Sequence, residues 1–258
     1  MRSVRVVARL DIKGANLIKG IQLEGLRIVG DPNEFARSYY QSGIDELLYI
    51  DSVASLYGRN NLYDIVSKTT EDLFVPVTVG GGIRTIDDIA RLLKAGADKV
   101  AINTAGIISP ELITEAVRIF GSQCIVISVV AKRTKRGAWE AYVEGGRERT
   151  GLDAVAWAKR AVDLGAGEIL LTSVDNEGGL NGYDIHLVQE VASNCSVPVI
   201  ASGGAGGLRD ISQVIEQGHA NAVAIASLLH YKKSTVSEIK AYLLKVGVCV
   251  RPVVTESY

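Results

Sequence analysis

The sequence repeats itself at a constant offset of 122 residues (198 minus 76), and this repeat limits the possible folds more than any other feature. The stretch VPVTVGGG at residues 75–82 aligns with VPVIASGG at residues 197–204. Three further pairs keep the same offset: Asp88 with Asp210, Gly96 with Gly218, and Glu46 with Glu168. An internal repeat means that each half supplies the same set of elements. The sequence therefore predicts two half-units related by a pseudo-twofold axis.

Short apolar runs alternate with longer amphipathic segments along the chain, which is typical of a parallel sheet with crossover helices. Eight runs are predicted as strands: Val4–Leu10, Glu46–Ile50, Val75–Val79, Lys99–Ile102, Cys124–Val129, Glu168–Thr172, Val197–Ala201 and Ala222–Ile225. We expect an α/β fold, a (βα)8 TIM barrel made of two half-barrels, in a single domain over residues 1–258. A Rossmann-type open sheet is the alternative, but no glycine fingerprint follows the first strand.

The composition limits what the chain binds. Hydrophobic residues make up 47% and aromatic residues 6%, so an aliphatic core is expected, as in strands buried on both faces. The net charge of -1 provides no basic field, and we expect neither nucleic acid nor a membrane as a partner. Cys124, Cys195 and Cys249 are too scattered for a disulfide framework or a zinc site. Arg5 and Arg9 interrupt the first apolar run, which argues against a signal peptide and predicts a cytoplasmic protein.

Glycines follow equivalent strands in the two halves. Gly81 and Gly82 come after the third strand, and Gly203 and Gly204 come after the seventh. The next strand is followed by Asn103 and Thr104 in the first half, and by Ala226 and Ser227 in the second. Free backbone N–H groups beside a helix start are typical of phosphate sites, although a single glycine pair can equally serve a tight turn. The duplication favours two phosphate sites and an elongated ligand with a phosphate at each end.

Acidic residues at the carboxyl ends of barrel strands are the first candidates for acid–base chemistry. Alternation along the first strand directs Arg5, Val7, Arg9 and Asp11 to the barrel interior, which makes Asp11 the strongest candidate. Asp51 follows the second strand, and Asp175 and Glu177 follow the sixth. Capping of the next helix is an equally good interpretation for Asp51 and Asp175. Lys19 is expected in a glycine-containing loop that closes over the mouth.

The fifth strand lacks a counterpart of Asp11, because Val130 stands at the equivalent position and cannot transfer a proton. His186, His219 and His230 show no metal-ligand spacing, so no metal or cofactor site is predicted. The alternation of apolar and polar residues from Trp139 to Glu144 predicts a small hairpin after the fifth strand, which we interpret as a solvated lid.

Specific motifs give the chain a family resemblance that runs from about Val4 to Arg251. They are LDIK (10–13), TVGGGI (78–83), GADKV (96–100), INT (102–104), FGSQ (120–123), GAGEILLTS (165–173) and IASGGAG (200–206). With these motifs the sequence resembles the cyclase subunit of imidazole glycerol phosphate synthase, the HisF family.

The resemblance implies a lyase-type cyclase of histidine biosynthesis within a glutamine amidotransferase complex. It takes ammonia from a glutaminase subunit and acts on a bis-phosphorylated ribonucleotide. Asp11 would be catalytic, and Val130 occupies the position of the family's second aspartate. Arg9 replaces a family cysteine. Lys19, Asp51, Thr172 and Glu177 would join the glycines in binding substrate.

The resemblance also implies an ammonia gate at the opposite, N-terminal face of the barrel. Its four charged positions are occupied by Arg5, Glu46, Lys99 and Glu168, which could otherwise be solvated charges at strand starts. A HisH-like glutaminase is expected to dock on this face, near Asp98.

Two other functions stay open at this point. One is a HisF-like subunit that delivers ammonia to an amidotransferase of surface-sugar biosynthesis without performing the cyclization. The other is a phosphate-binding module without enzymatic activity, which leaves the interior charges unexplained.

Overall fold

The computed structural model describes residues 3–52 and 62–253. Its strands join into one sheet. They are β1 (Arg5–Lys13), β2 (Asn16–Ile21), β3 (Glu24–Gly30), β4 (Glu46–Asp51), β5 (Val77–Gly80), β6 (Lys99–Ile102), β7 (Ile125–Arg133), β8 (Trp139–Val143), β9 (Glu148–Asp153), β10 (Glu168–Ser173), β11 (Val199–Ser202) and β12 (Ala222–Ile225). Eight of them are parallel and follow the order β10-β11-β12-β1-β4-β5-β6-β7. Pairing of β7 with β10 closes the ring, so the predicted (βα)8 barrel is confirmed.

Helices follow the barrel strands along the described chain. They are α1 (Pro32–Gln41), α2 (Leu62–Asp72), α3 (Ile86–Lys94), α4 (Thr104–Ile108), α5 (Glu111–Phe120), α6 (Ala154–Asp163), α7 (Ile185–Asn194), α8 (Leu208–Glu216), α9 (Ser227–His230) and α10 (Val236–Lys245). In the part of the chain that the structure describes, no helix has the length and apolarity that crossing a membrane requires.

Two apolar clusters form the core. The inner cluster fills the barrel with small and aliphatic side chains, among them Val7, Leu48, Ala101, Val126 and Leu170. The larger outer cluster lies between the strands and the surrounding helices. Burying one such aliphatic side chain stabilises the folded state by about 1.5 to 3 kcal/mol. The barrel strands carry apolar residues on both faces because one face packs in the barrel interior and the other against the helices.

The two halves repeat their local hydrogen bonds as well as their sequence. Asp88 Oδ2 accepts from the backbone N–H groups of Arg84 and Thr85 at the start of α3. Asp210 Oδ2 accepts from the N–H groups of Gly206 and Gly207 at the start of α8. The repeat in the sequence therefore corresponds to a repeat of helix starts.

Two of the predicted strands begin two residues too early. The ladder of the third barrel strand begins at Val77 and that of the seventh begins at Val199, each one residue after a proline. Proline has no N–H group to donate to a ladder. Asp98 Oδ2 and Asn221 Oδ1 instead accept from the N–H groups of Val77 and Val199, which fixes both strand starts.

Each half carries an antiparallel hairpin after its first strand. Strands β2 and β3 follow β1, and β8 and β9 follow β7, so the hairpin predicted around Trp139 is confirmed. The loop expected around Lys19 is wrong, because Lys19 lies within β2 and is buried. The two consecutive apolar residues Leu17 and Ile18 form a run too short to separate a strand from a loop.

Candidate functional site

A cavity of about 340 Å³ opens at the carboxyl ends of β4 to β7. This is the end of a barrel that carries active sites in enzymes of this architecture. The volume is in the range that small-molecule sites occupy. Its lining includes residues from the strand ends and from both hairpins, among them Arg9, Asp51, Gly81, Gly82, Asn103, Thr104, Ser128, Val130, Gly145, Arg147 and Thr172.

The glycines after β5 line this cavity in a conformation that other residues rarely adopt. Gly81 has φ +104° and Gly82 has φ +70°. A Cβ atom on Gly81 would stand 2.3 Å from the backbone oxygen of Asp51, so a side chain does not fit there. The loop therefore brings backbone close to the cavity, as an anion site requires.

The side chains of Asn103 and Thr104 line the cavity and also hold the second hairpin. Asn103 Nδ2 donates to the backbone oxygens of Ser128 and Tyr142 at 2.9 and 3.2 Å. Thr104 Oγ1 accepts from the backbone N–H of Glu144 and donates to Asn103 Oδ1. Because α4 has only five residues, its dipole adds little, and the backbone beside Gly81 and Gly82 is the better anion donor.

The equivalent position in the second half is almost filled. Gly203, Gly204, Ala226 and Ser227 surround a cavity of only about 10 Å³, with Glu177, Gly178 and Leu180 on its other side. Gly203 has φ +92° and Gly204 has φ +114°, which repeats the conformation of the first half. The two predicted phosphate sites therefore share their backbone form but differ in the space that they offer.

Arg9 and Asp11 form a buried ion pair on the inner face of β1, as strand alternation predicts. Arg9 Nε donates to Asp11 Oδ1 at 2.9 Å. Arg9 Nη1 donates to Thr172 Oγ1 and Ser202 Oγ at 3.0 and 2.9 Å. Burial opposes ionisation of Asp11, but the charges of Arg9 and Lys19 outweigh it and hold the pKa of Asp11 below its ordinary value. Asp11 is thus ionised at neutral pH.

A second buried ion pair ties the first hairpin to the loop after β10. Lys19 Nζ contacts Glu177 Oε1 and lies 3.8 Å from Asp11 Oδ2. The backbone N–H of Gln22 donates to the backbone oxygen of Glu177 at 2.8 Å, so backbone and side chains hold the same two segments together. Lys19 and Glu177 therefore lie beside Asp11, as their prediction as site residues requires.

The remaining acids of the strand ends serve different purposes. Asp51 is buried and lines the cavity, whereas Asp175 is exposed and accepts from the backbone N–H of Arg133 at 2.7 Å. Asp184 caps α7, so the helix-capping interpretation of Asp175 is wrong. Val130 is 8% exposed and turns its apolar side chain to the cavity, where its neighbour in register is Thr172.

Four charges close the barrel interior at the opposite face. Arg5 contacts both Glu46 and Glu168, and Lys99 Nζ lies 3.2 Å from Glu46 and 2.8 Å from Glu168. Thr78 Oγ1 donates to Glu46 at 2.6 Å. The sequence prediction brought these four residues together correctly. Asp98 is exposed beside them.

The three histidines differ in burial, because His186 and His219 are exposed and His230 is buried. His230 is buried, its Nδ1 lies 2.6 Å from Tyr39 Oη, and its ring stacks on Tyr39. Burial lowers the pKa of His230 to about 4, so the ring is neutral. No cluster of residues in the described ranges has the composition of a metal site.

Sequence reasoning missed two groups at the mouth. Ser202 supports Arg9, and Arg147 from the second hairpin lines the large cavity. Ser202 aligns with Gly80 in the internal repeat. A polar side chain where the other half has a glycine was the signal in the sequence that could have identified Ser202. Arg147 gave none, because hairpin residues carry no periodic pattern that points to the mouth.

Comparison with known proteins agrees with this geometry. A family model described as "Histidine biosynthesis protein" matches residues 5–235. Imidazole glycerol phosphate synthase subunit HisF of Legionella pneumophila is 59% identical over 212 residues, which cover 82% of this chain and 100% of that protein. Subunit HisF of Prochlorococcus marinus (strain MIT 9215) is 50% identical over 254 residues, covering 98% of this chain and 99% of that protein.

The chain belongs to the HisF family. A third relative, subunit HisF of Geobacillus thermodenitrificans, is 49% identical over 97% of this chain and 100% of its own length. Two of these relatives match nearly the whole chain, so the similarity of this HisF family member extends over the entire barrel and not only over its glycine turns.

Proposed function

We propose that this HisF family member is the cyclase subunit of an imidazole glycerol phosphate synthase, a lyase of histidine biosynthesis. The match to HisF subunits along nearly the whole chain carries this proposal. The substrate would be a bis-phosphorylated ribonucleotide, with one phosphate at Gly81 and Gly82 and the other at Gly203 and Gly204. The second position has to widen from about 10 Å³ to take its phosphate.

Ammonia would come from a HisH-like glutaminase on the face that carries the charged ring. All four ring residues are paired, Glu46 and Glu168 are buried, and the apolar inner cluster lies between the ring and Arg9. An apolar interior favours neutral ammonia over ammonium, because an isolated buried charge is costly. The exposed Asp98 lies beside the ring and is assigned to the partner interface.

At the mouth, Asp11 would be the proton acceptor. Its lowered pKa keeps it ionised at neutral pH, and Lys19 and Arg9 hold it in place. Val130 supplies no second acid or base, so this chain relies on one carboxylate. One positioned acid or base contributes about 10² to 10⁴ in rate, and we therefore expect slow cyclization.

The test is ammonia-dependent turnover of the bis-phosphorylated ribonucleotide by the purified chain. Formation of imidazole glycerol phosphate that disappears in Asp11→Asn supports the proposal. Turnover that survives in Asp11→Asn would remove Asp11 from the chemistry. Absence of any product, with the ligand bound, would reject the cyclase assignment.

The apolar side chain at Val130 favours a second candidate, an ammonia-delivering subunit of an amidotransferase in surface-sugar biosynthesis. Such a subunit needs the ring and the interior but no second carboxylate. Complementation of a histidine auxotroph that lacks its cyclase separates the two functions. Growth supports the cyclase, whereas failure by a soluble, folded chain supports the second candidate.

A further inference from the structure

Arg9 occupies the centre of the mouth, between the two glycine sites. It lines both the cavity of about 340 Å³ and the cavity of about 10 Å³. The backbone of β1 places it two residues above Val7, a member of the apolar inner cluster. Its guanidinium is therefore the cation at the boundary between the barrel interior and the mouth.

The hydrogen bonds of Arg9 leave one side of its guanidinium available. Nε is used by Asp11, and Nη1 is used by Thr172 and Ser202. Nη2 makes no hydrogen bond to the residues that the structure describes. Only 5% of Arg9 is exposed, so the three acceptors hold the planar group in one orientation. An oriented guanidinium with a free edge is suited to binding an oxygen.

A ligand with a phosphate at each glycine site has to pass over this edge. The sites follow β5 and β11, which lie on opposite sides of the closed ring. The middle of such a ligand therefore lies over the barrel axis, where Arg9 stands. Val130 offers only an apolar surface there, whereas Arg9 brings a buried cation to the same cavity beside Thr172 and Ser128.

We propose that Arg9 is a specificity-determining residue whose Nη2 binds an oxygen in the middle of an elongated bis-phosphate ligand. The inference rests on the two phosphate sites of the proposed function and adds a third point of recognition between them. Ligands with a carbonyl or hydroxyl oxygen near their centre are selected over ligands of equal length and charge without one.

Equilibrium binding with two ligands tests this. The first is the bis-phosphorylated ribonucleotide in the absence of ammonia, and the second is an alkanediol bisphosphate of the same span. In Arg9→Met, affinity for the ribonucleotide is expected to fall about 10- to 100-fold more than affinity for the alkanediol compound, the usual effect of losing a charged hydrogen bond. Arg9→Lys, which keeps a donor, should restore part of the difference.

Arg149→Met is the control, because it removes the same group from an ion pair with Glu140 that lies outside both cavities. It should leave both affinities unchanged. Thermal unfolding of each variant shows whether the barrel is intact. Equal losses for both ligands in Arg9→Met, or no loss at all, would overturn the inference.

Turnover by the unmodified chain separates this inference from the proposed function. If the unmodified chain turns over substrate but Arg9→Met does not change the relative affinity for the two ligands, the inference alone is refuted. An Arg9-dependent pattern without turnover refutes the cyclase function and supports the inference. Failure of the unmodified chain to bind either bisphosphate refutes the inference and the two phosphate sites together.

Discussion

Replacing Val130 by aspartate places a carboxylate on β7, half a circuit of the barrel away from Asp11 on β1. The side chain is 8% exposed and faces the cavity together with Arg9 and Thr172. A carboxylate there is close in size to valine, so it can be accommodated without a clash. Val130→Asn is the matched control, since it has the same shape and polarity but cannot exchange a proton.

The expected gain follows from what already surrounds the site. A fully positioned acid or base contributes about 10² to 10⁴ in rate. Arg9 lines the same cavity and will share its charge with the introduced carboxylate, which weakens its pairing with Asp11. We therefore expect the lower end, an increase in turnover of about tenfold or more. Partial burial of the new group should cost about 1 to 3 kcal/mol in unfolding free energy.

The assay is ammonia-dependent formation of imidazole glycerol phosphate by the unmodified chain, Val130→Asp and Val130→Asn, with urea unfolding of all three. A gain confined to Val130→Asp supports the reasoning. An equal gain in Val130→Asn would show that polarity rather than proton transfer matters. Rapid turnover by the unmodified chain would refute the need for a carboxylate on β7.

Three further predictions concern the ring, the glycines and the buried histidine. Glu168→Ala leaves Arg5 without one partner and should lower the unfolding free energy, measured by denaturant titration, by about 2 to 3 kcal/mol. This loss is smaller than for a fully buried ion pair, because Arg5 is partly exposed. Gly203→Ala should abolish binding of the bis-phosphate in a calorimetric titration, because the new Cβ would stand 2.6 Å from the backbone oxygen of Ser173. Gly207→Ala is the control, because its Cβ would have no atom within 4 Å and the variant should bind the ligand normally. In the folded chain His230 has a pKa of about 4, whereas in the unfolded chain it binds a proton below about pH 6.5. The unfolding free energy should therefore fall by about 1.4 kcal/mol per pH unit as the pH is lowered from about 6.5 to about 4. His230→Gln should flatten this part of the stability curve.

Most of the barrel could be predicted because its signals are local. Val75–Val79 and Val197–Ala201 are continuous apolar runs, and their shared offset shows that they are equivalent strands. The true strand starts at Val77 and Val199 depend on side chains more than 20 residues away, Asp98 and Asn221. Contacts between residues that far apart in the sequence cannot be recognised from a segment of only four residues, the length of these strands.

The mouth was predictable only in part. Asp11 and Glu177 lie at the same end of the barrel as expected, because strand ends of one sheet meet at one edge, whereas Lys19 reaches both from β2. The use of Asn103 as a hairpin anchor was not predictable, since an amide at a strand end is equally suited to phosphate and to backbone. The difference in free volume between the two glycine sites arises from Glu177, Gly178 and Leu180, whose positions only the tertiary structure gives.

The two hairpins give the mouth a direction. Strands β1 and β7 are half a circuit apart in the closed ring, so β2 with β3 and β8 with β9 rise on opposite sides. The glycine sites after β5 and β11 lie on the other two sides. The hairpins nevertheless reach each other, because a Cβ atom on Gly146 of the second hairpin would stand only 3.1 Å from Leu23 Cδ1 in the turn of the first. A molecule that spans both glycine turns therefore has to pass beneath this contact, and its entry requires Leu23 and Gly146 to move apart.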